Sequence, residues 1–291
     1  MMIAVFTLEF ITPAMIAGAS PKGPESTAEI RIPSIRGQLR WWFRALGGSA
    51  SEESRLFGSV AGGKARSSSI MLRFSQIGSA SSGAPTSLPT SNKFKSPKTA
   101  ADIGCQDMNT SGYLAFNIRK REDARTMAPQ NTRFKIEMRA TRLDSSDFHQ
   151  LCQVFRMFAT YGSLGTRSRR TFGSLRLVSE TGDLPPKAVS WEEFPGRRVD
   201  WHPLQLGPWE TVSQLQSAAG TWLKAHRNNR NVLPKNRRGE VFGHAGQDAP
   251  RSEKRRASPV ILKPILNAQG QLALGLIVPR PAPELVNRAI Q

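Results

Sequence analysis

The stretch from Ile30 to Gly48 constrains the fold of this 291-residue chain more than any other. Its first residues are expected to be extended, because Ile32 precedes Pro33 and the proline ring disfavours helical backbone before it. Ser34 has the side chain of an N-cap, and Gly47-Gly48 supplies a stop. Between them, at about 100° per residue, Leu39, Trp42, Phe43 and Leu46 share one face. Arg36, Arg40 and Arg44 run beside that face as an i, i+4, i+8 stripe, and Trp41 points away from it. One short helix therefore carries a core face, an arginine ridge and a spare aromatic. A buried helix with a solvated basic edge gives the same pattern. A second basic site downstream is what makes the ridge a candidate site.

Composition sets the class of partner. The chain has 41 Lys+Arg against 22 Asp+Glu, a formal net charge of +19. Such a field attracts polyanions and raises encounter rates with them, nucleic acid first and an anionic membrane surface second. No apolar run approaches the ~18 residues of a spanning helix. The apolar start contains Glu9 and no basic flank, so no signal peptide is expected. Two cysteines, Cys105 and Cys152, cannot build a disulfide framework or a cysteine-based zinc site. Both are expected reduced in a cytoplasm, with Cys152 in a helix core.

In chain order, residues 3–12 suit a buried strand ended by Thr12-Pro13. Residues 14–29 read as a small-residue loop, and the helix follows. Glu52 to Ser59 reads as a helical turn stopped by Gly58, Gly62 to Arg66 as a flexible basic loop, and Ser68 to Phe74 as a strand. Residues 77–111, rich in Ser, Gly, Ala, Pro and Thr, read as an inserted loop carrying Lys93, Lys95 and Lys98. Tyr113 to Ile118 and Arg133 to Arg139 read as strands, the second alternating Phe134, Ile136 and Met138 with Lys135, Glu137 and Arg139. Arg119-Lys120-Arg121 lies between them. A second helix runs from about Ser145 to Ala159, with Phe148, Leu151, Cys152, Phe155, Phe158 and Ala159 on its core face and Asp144 as N-cap. It leads into a Gly/Arg loop, Tyr161 to Ser174, and a strand, Leu175 to Val178. The order is that of a ferredoxin-like βαββαβ plan with an extra hairpin, also used by RNA-recognition modules.

Beyond it, residues 180–208 contain five prolines and read as a linker or wrapping segment. Trp209 to Lys224 reads as a third helix with a basic exit through Arg238. Val260 to Leu266 and Gln271 to Val278 read as a terminal hairpin.

Glycines in the Gly/Arg loop let the backbone take positive φ and let a ligand approach closely. Backbone N–H groups in such loops form anion-binding concavities. Arg167, Arg169 and Arg170 add bidentate phosphate donors. The loop is not a Walker motif, because no Gly-Lys-Ser/Thr follows at the required spacing.

Together these stretches resemble the RAMP superfamily of CRISPR-associated proteins, above all the Cmr1 family of type III-B effector complexes. Three stretches carry the resemblance. The first is Thr12-Pro13, Gly18 and Ile30 to Arg44; the second is Glu53 to Ser59 followed by Ser67 to Ile70; the third is Gly162 to Gly173. Arg256 to Pro259 also matches the family's late segment. Thr171 stands where the family's loop usually has glycine. The resemblance implies an α+β, ferredoxin-like (RRM-like) RAMP/Cas7-type fold over residues 1–180, with the insertion at about 77–111. Residues 181–291 would form a C-terminal extension or a reduced second ferredoxin-like unit.

It further implies a non-catalytic, cofactor-free binding subunit of a cytoplasmic antiviral ribonucleoprotein with no membrane partner. Its partners would be CRISPR guide RNA, target RNA and other Cas/RAMP subunits, with the contact at the guide 3′ region or the guide–target duplex. Cleaving backbone subunits of the superfamily use an aspartate in the loop after the first strand. Residues 14–34 here contain Glu25 and Glu29 but no aspartate. The alternatives are a Cas6-like endoribonuclease processing CRISPR RNA, which needs an acid/base group such as His149, His202, His226 or His244, and a general RNA-binding protein.

The residues expected at RNA are Arg36, Arg40, Trp41 and Arg44 on the helix and Lys64 and Arg66 in the basic loop. Gly162, Gly165, Arg167, Arg169 and Arg170 join them from the Gly/Arg loop. No residue is assigned to catalysis or metal. In a ferredoxin-like fold the ridge and the loop can frame one groove, with Trp41 stacking on a base or packing on a neighbouring subunit. The opposing expectation is that these arginines pair with Glu52, Glu53 or another acidic surface and serve assembly.

Overall fold

The structure, a computed structural model, describes residues 1–16, 29–61, 64–76, 93–94, 114, 125–126, 128–186, 190–228, 237–242 and 258–290. Two units are present. The first takes in Met1–Lys95, Asp123–Ser168 and Phe172–Arg198; the second takes in Ser96–Glu122, Arg169–Thr171 and Val199–Gln291. In chain order the first unit holds β1 (Met2–Phe10), α1 (Ile32–Ala45), α2 (Ala50–Phe57), β2 (Ser59–Ala61), β3 (Lys64–Arg66) and β4 (Ile70–Gln76). It continues with β5 (Lys93–Phe94), β6 (Arg125–Thr126), β7 (Arg133–Ala140), α3 (Ser145–Tyr161) and β8 (Leu175–Gly182).

Its main sheet has the order β4-β7-β1-β8, every pair antiparallel. With α1 after the first of these strands and α3 after the third, this is the ferredoxin-like βαββαβ arrangement. The period-2 pattern of β7 decides which face is core: Phe134, Ile136, Met138 and Ala140 are buried, while Arg133 and Lys135 are exposed. In register, Phe6 faces Ile136 and Leu8 faces Phe134. The helices supply the other half of the core. Ile35, Leu39, Trp42 and Phe43 come from α1, and Phe148, Leu151, Cys152, Phe155 and Phe158 come from α3. Phe155 stacks on Phe6 with ring centroids 3.9 Å apart. Burial pushes the Cys152 thiol up to about 12, so it is inert core.

The helix ends follow local chemistry. α1 starts earlier than expected, at Ile32, with Arg31 rather than Ser34 at the cap position and Pro33 in the first turn. Proline is accommodated there because the first turn leaves its N–H groups without intrahelical partners. α2 opens on a reciprocal capping box between Ser49 and Glu52 and ends at Gly58, φ 79°. α3 is capped by Asp144, whose carboxylate accepts from the Asp147 N–H at 2.8 Å. Gly37 lies mid-helix in α1 with nothing within 4 Å of where a Cβ would stand. Gly37→Ala is therefore expected to stabilise the chain by about 0.5–1 kcal/mol, read as a raised urea midpoint at unchanged m-value.

Three local expectations change. The stretch read as a flexible basic loop contributes β3, which pairs with β2 as Ser59↔Arg66 and Ala61↔Lys64. Only Gly62-Gly63 separates the two strands in sequence, a spacing that hairpins favour. Leu114, within the expected strand Tyr113–Ile118, is helical and buried; the rest of that strand lies outside the described residues. So do Arg119–Arg121, Cys105, His244, Arg256–Ala257 and the 77–111 insertion apart from Lys93–Phe94, which pairs with Arg125–Thr126. The proline-rich 180–208 segment is more than a linker: it contributes a 3-10 turn at Trp191–Glu193 and a strand of the second unit. Of its five prolines only Pro203 falls in that strand, as its last residue, and the strand lies at a sheet edge, where proline is tolerated.

The second unit holds β9 (Val199–Pro203), α4 (Val212–Asn228), α5 (Arg238–Phe242), β10 (Ile261–Leu266), β11 (Leu272–Pro279) and α6 (Glu284–Ile290). Its sheet order, β10-β11-β9, sets its first strand beside its third and its third beside its second. That repeats the first unit's topology through the second helix, with no fourth strand among the described residues. Val212, Leu215, Ala219 and Leu223 form the buried face of α4. Among the described residues, no helix is long and apolar enough to cross a membrane.

Candidate nucleic-acid interface

The arginine ridge of α1 meets α2. Arg40 Nε donates to Glu53 Oε1 at 2.6 Å, and Arg44 Nη1 donates to Oε1 at 2.6 Å and Oε2 at 2.8 Å. Glu53 is 5% exposed, whereas the Arg40 and Arg44 side chains are 36% and 46% exposed. Burial opposes ionisation of Glu53, but the hydrogen bonds from Arg44 and Arg40 together outweigh it and hold the carboxyl below its ordinary value. Two guanidiniums thus share one carboxylate, leaving a net positive ridge with both arginines partly open to water. Arg36, the first member of the ridge, donates to the Ile70 carbonyl at 3.4 Å instead of to Glu53. Burial, then the charge of Arg40, lowers its pKa.

Trp41 is half-buried and meets Trp42 edge-on, with centroids 5.2 Å apart. Trp42 lies 6.2 Å from Trp191, which lies 5.0 Å from Tyr161. The residue read from sequence as a spare aromatic is therefore the outer member of an aromatic row. Arg66 is exposed on β3. A further ion pair, from Arg55 to Asp147, joins α2 to the start of α3.

The Gly/Arg loop is a folded structure whose amides are largely spent within the protein. Leu164 N–H donates to Gly173 O, Thr166 N–H to Met15 O, Gly173 N–H to Pro13 O and Leu175 N–H to Gly162 O. Gly165 takes φ 94°, and a Cβ there would lie 2.5 Å from the Met15 carbonyl. Gly162 packs against Phe158 at the end of α3 and leaves no room for a side chain. Arg167, half-buried, has φ 66°, and Thr171, fully buried, has φ 72°. Thr171 therefore adopts the left-handed backbone that glycine would adopt more cheaply. Its amide donates to Leu262 O, and its hydroxyl accepts from Gln216 Nε2 at 3.4 Å.

Arg169 and Arg170 count with the second unit, whereas the α1 ridge lies in the first. Arg169 Nη1 donates to the Ser258 carbonyl, and burial lowers the pKa of its guanidinium. Arg170 Nη2 donates to the Phe242 carbonyl at 2.7 Å. Both side chains thus buttress backbone of the second unit, so charge reversal there would test folding together with any RNA contact. Among the histidines, His149 lies on α3 and His202 on β9, while His226 on α4 stacks on Trp222 at 4.1 Å.

A family model described as the RAMP superfamily matches residues 7–176. The CRISPR system Cmr subunit Cmr1-1 of Pyrococcus furiosus is 29% identical over 169 residues, 54% of this chain and 43% of that protein. Subunit Cmr1-2 of the same organism is 38% identical over 66 residues, 20% of this chain and 33% of that protein. The alignments span less than half the length of these curated relatives. Among solved structures, apo Cmr1 from Pyrococcus furiosus superposes with a TM-score of 0.61 at 21% identity, covering 96% of this chain and 88% of that one. A chain of the type III-B Cmr-beta complex bound to cognate target RNA superposes at 0.59 and 10% identity, covering 99% and 98%. These superpositions establish a shared fold.

Proposed function

Because the chain belongs to the RAMP superfamily, we propose that it is an RNA-binding subunit of a type III-B, Cmr-like CRISPR effector ribonucleoprotein. Its partners are then guide RNA, target RNA and the other Cas/RAMP subunits, and its contact is with the guide 3′ region or the guide–target duplex. The observation that carries this reading is the match over 7–176, which runs from the end of β1 through helices α1 to α3 to the start of β8 of the ferredoxin-like unit, together with the two Cmr1 relatives. The net charge of +19 supports phosphate as the group recognised. On the α1 ridge, Arg40 and Arg44 outnumber their single carboxylate; Arg36, Arg66, Lys64 and Trp41 are proposed to extend that contact. In the Gly/Arg loop, Gly162 and Gly165 shape the turn and Arg167 faces RNA; Arg169 and Arg170 are proposed to add charge from their carbonyl-bound positions.

The same reading makes the subunit a binder that cuts neither guide nor target, in line with the lack of aspartate in residues 14–34. Co-expression with neighbouring subunits followed by sequencing of co-purified RNA is the direct test. Short guide fragments are expected; ribosomal RNA would favour a general RNA-binding protein. The purified subunit should leave labelled guide precursor and target intact, with or without divalent metal. Cleavage that disappears with His149→Ala or His226→Ala would establish the endoribonuclease reading instead.

A further inference from the structure

The face of the first sheet opposite α1 and α3 carries the alternate residues of β4 and β7. Met71 is 55% exposed, and Arg73 and Lys135 are exposed as well. Register sets Met71 beside Arg139 and Arg73 beside Glu137, with Lys135 two positions further along β7. Arg139 Nε donates to Glu137 Oε1 at 2.5 Å, and Arg73 adds a second positive charge to the same carboxylate. Lys135 makes no ion pair among the described residues. The next row repeats the imbalance. Arg133 Nε lies 2.5 Å from Oε2 of the buried Glu9, and Arg176 Nε lies 2.8 Å from its Oε1. Among the described residues of this face, Arg73, Lys135, Arg139, Arg133 and Arg176 thus stand against Glu137 and Glu9 alone.

We propose that the exposed β4–β7 half of this sheet face docks a segment of single-stranded RNA, with Arg73, Lys135 and Arg139 on its phosphates. The inference rests on the RNA-binding reading above and adds to it a surface distinct from the α1 ridge. Two features favour RNA over an acidic protein. Stable protein interfaces centre on buried aromatic or aliphatic anchors, and the β4–β7 half of this face exposes only Met71 as a large apolar side chain. Arg133 and Lys135 lie about 7 Å apart along β7, Arg139 lies about 14 Å beyond Lys135, and Arg73 on β4 is diagonal to both Lys135 and Arg139, a spread of charge suited to a flexible polyanion lying across the two strands. The exposed half also lacks the stacking aromatics with which RRM sheets read bases, so binding here is phosphate-led and indifferent to sequence.

The test uses the full chain and labelled oligouridylate, with affinity measured across a salt series. The R73Q/K135Q/R139Q variant should keep the wild-type unfolding midpoint and lose about two units of salt slope, which is about a hundredfold in affinity at 0.1 M salt. Glu137→Gln should move the other way, with tighter binding and a steeper slope, a gain that damage to the fold would not produce. Unchanged slopes in both variants, with wild type binding normally, would remove this surface and leave the RNA-binding reading in place. Loss of a protein subunit from the reconstituted effector, with RNA retained, would assign the face to a protein partner. Wild type that shows no salt-dependent binding would remove both readings.

Discussion

Replacing Gly173 by alanine is expected to cost more than about 3 kcal/mol of stability, several times the cost of the same change at Gly270. Both glycines have left-handed backbone, φ 64° and φ 76°. Each substitution therefore carries the ~1–2 kcal/mol that an L-residue pays there. The surroundings separate them. At Gly270 nothing lies within 4 Å of the new methyl group. At Gly173 the methyl group would overlap the Leu164 carbonyl oxygen and stand 3.3 Å from the Leu164 nitrogen. Relief requires moving a backbone segment whose hydrogen bonds, Leu164 N–H to Gly173 O and Gly173 N–H to Pro13 O, are both 2.9 Å long. Urea unfolding of the two variants beside wild type is the measurement. Equal losses would mean that the loop is compliant and that only the dihedral strain counts.

Glu53→Ala is expected to destabilise the chain by about 2 kcal/mol at neutral pH, because it removes charge-assisted hydrogen bonds to two arginines from a nearly buried position. The figure is set toward the low end because Arg40 and Arg44 are a third to a half exposed and regain water when released. The pH dependence has a definite sign. The Glu53 carboxyl titrates below its ordinary value in the folded state. Its contribution is therefore complete above the unfolded pKa of about 4.3 and fades as pH falls through the lower folded value. Wild type and E53A should differ at pH 7 and converge in acid; a constant gap would assign the loss to packing alone. Glu53→Gln serves the functional question. It removes the negative charge between the two arginines, and a ridge that contacts RNA should then bind oligouridylate with a steeper salt slope.

The sequence by itself determined the elements whose signals are local. The spacing of Leu39, Trp42, Phe43 and Leu46, the alternation of Phe134, Ile136 and Met138, the Asp144 cap and the glycine stops appear in the structure close to where they were read. A helix face, a pleat and a cap are each fixed within a few residues of themselves. The strand–helix order then left few sheet topologies, and the observed β4-β7-β1-β8 order is the ferredoxin-like one. The alternation also put Lys135 and Arg139 on the outer face of β7, but sequence alone could not show that Arg73 of β4 lies in the same patch. That depends on β4 pairing with β7, between strands more than 50 residues apart.

Tertiary structure alone decided where each arginine is directed. Glu53 is nine residues from Arg44 and on another helix, yet it takes both Arg40 and Arg44. Arg169 and Arg170 read as phosphate donors because guanidinium chemistry is the same for a phosphate and for a buried carbonyl. Only the arrival of Ser258 and Phe242, 89 and 72 residues along the chain, turned them onto protein backbone. The left-handed conformation of Thr171 has the same origin. Its side chain disfavours that backbone, and the surrounding bonds to Leu262 and Gln216 hold it there.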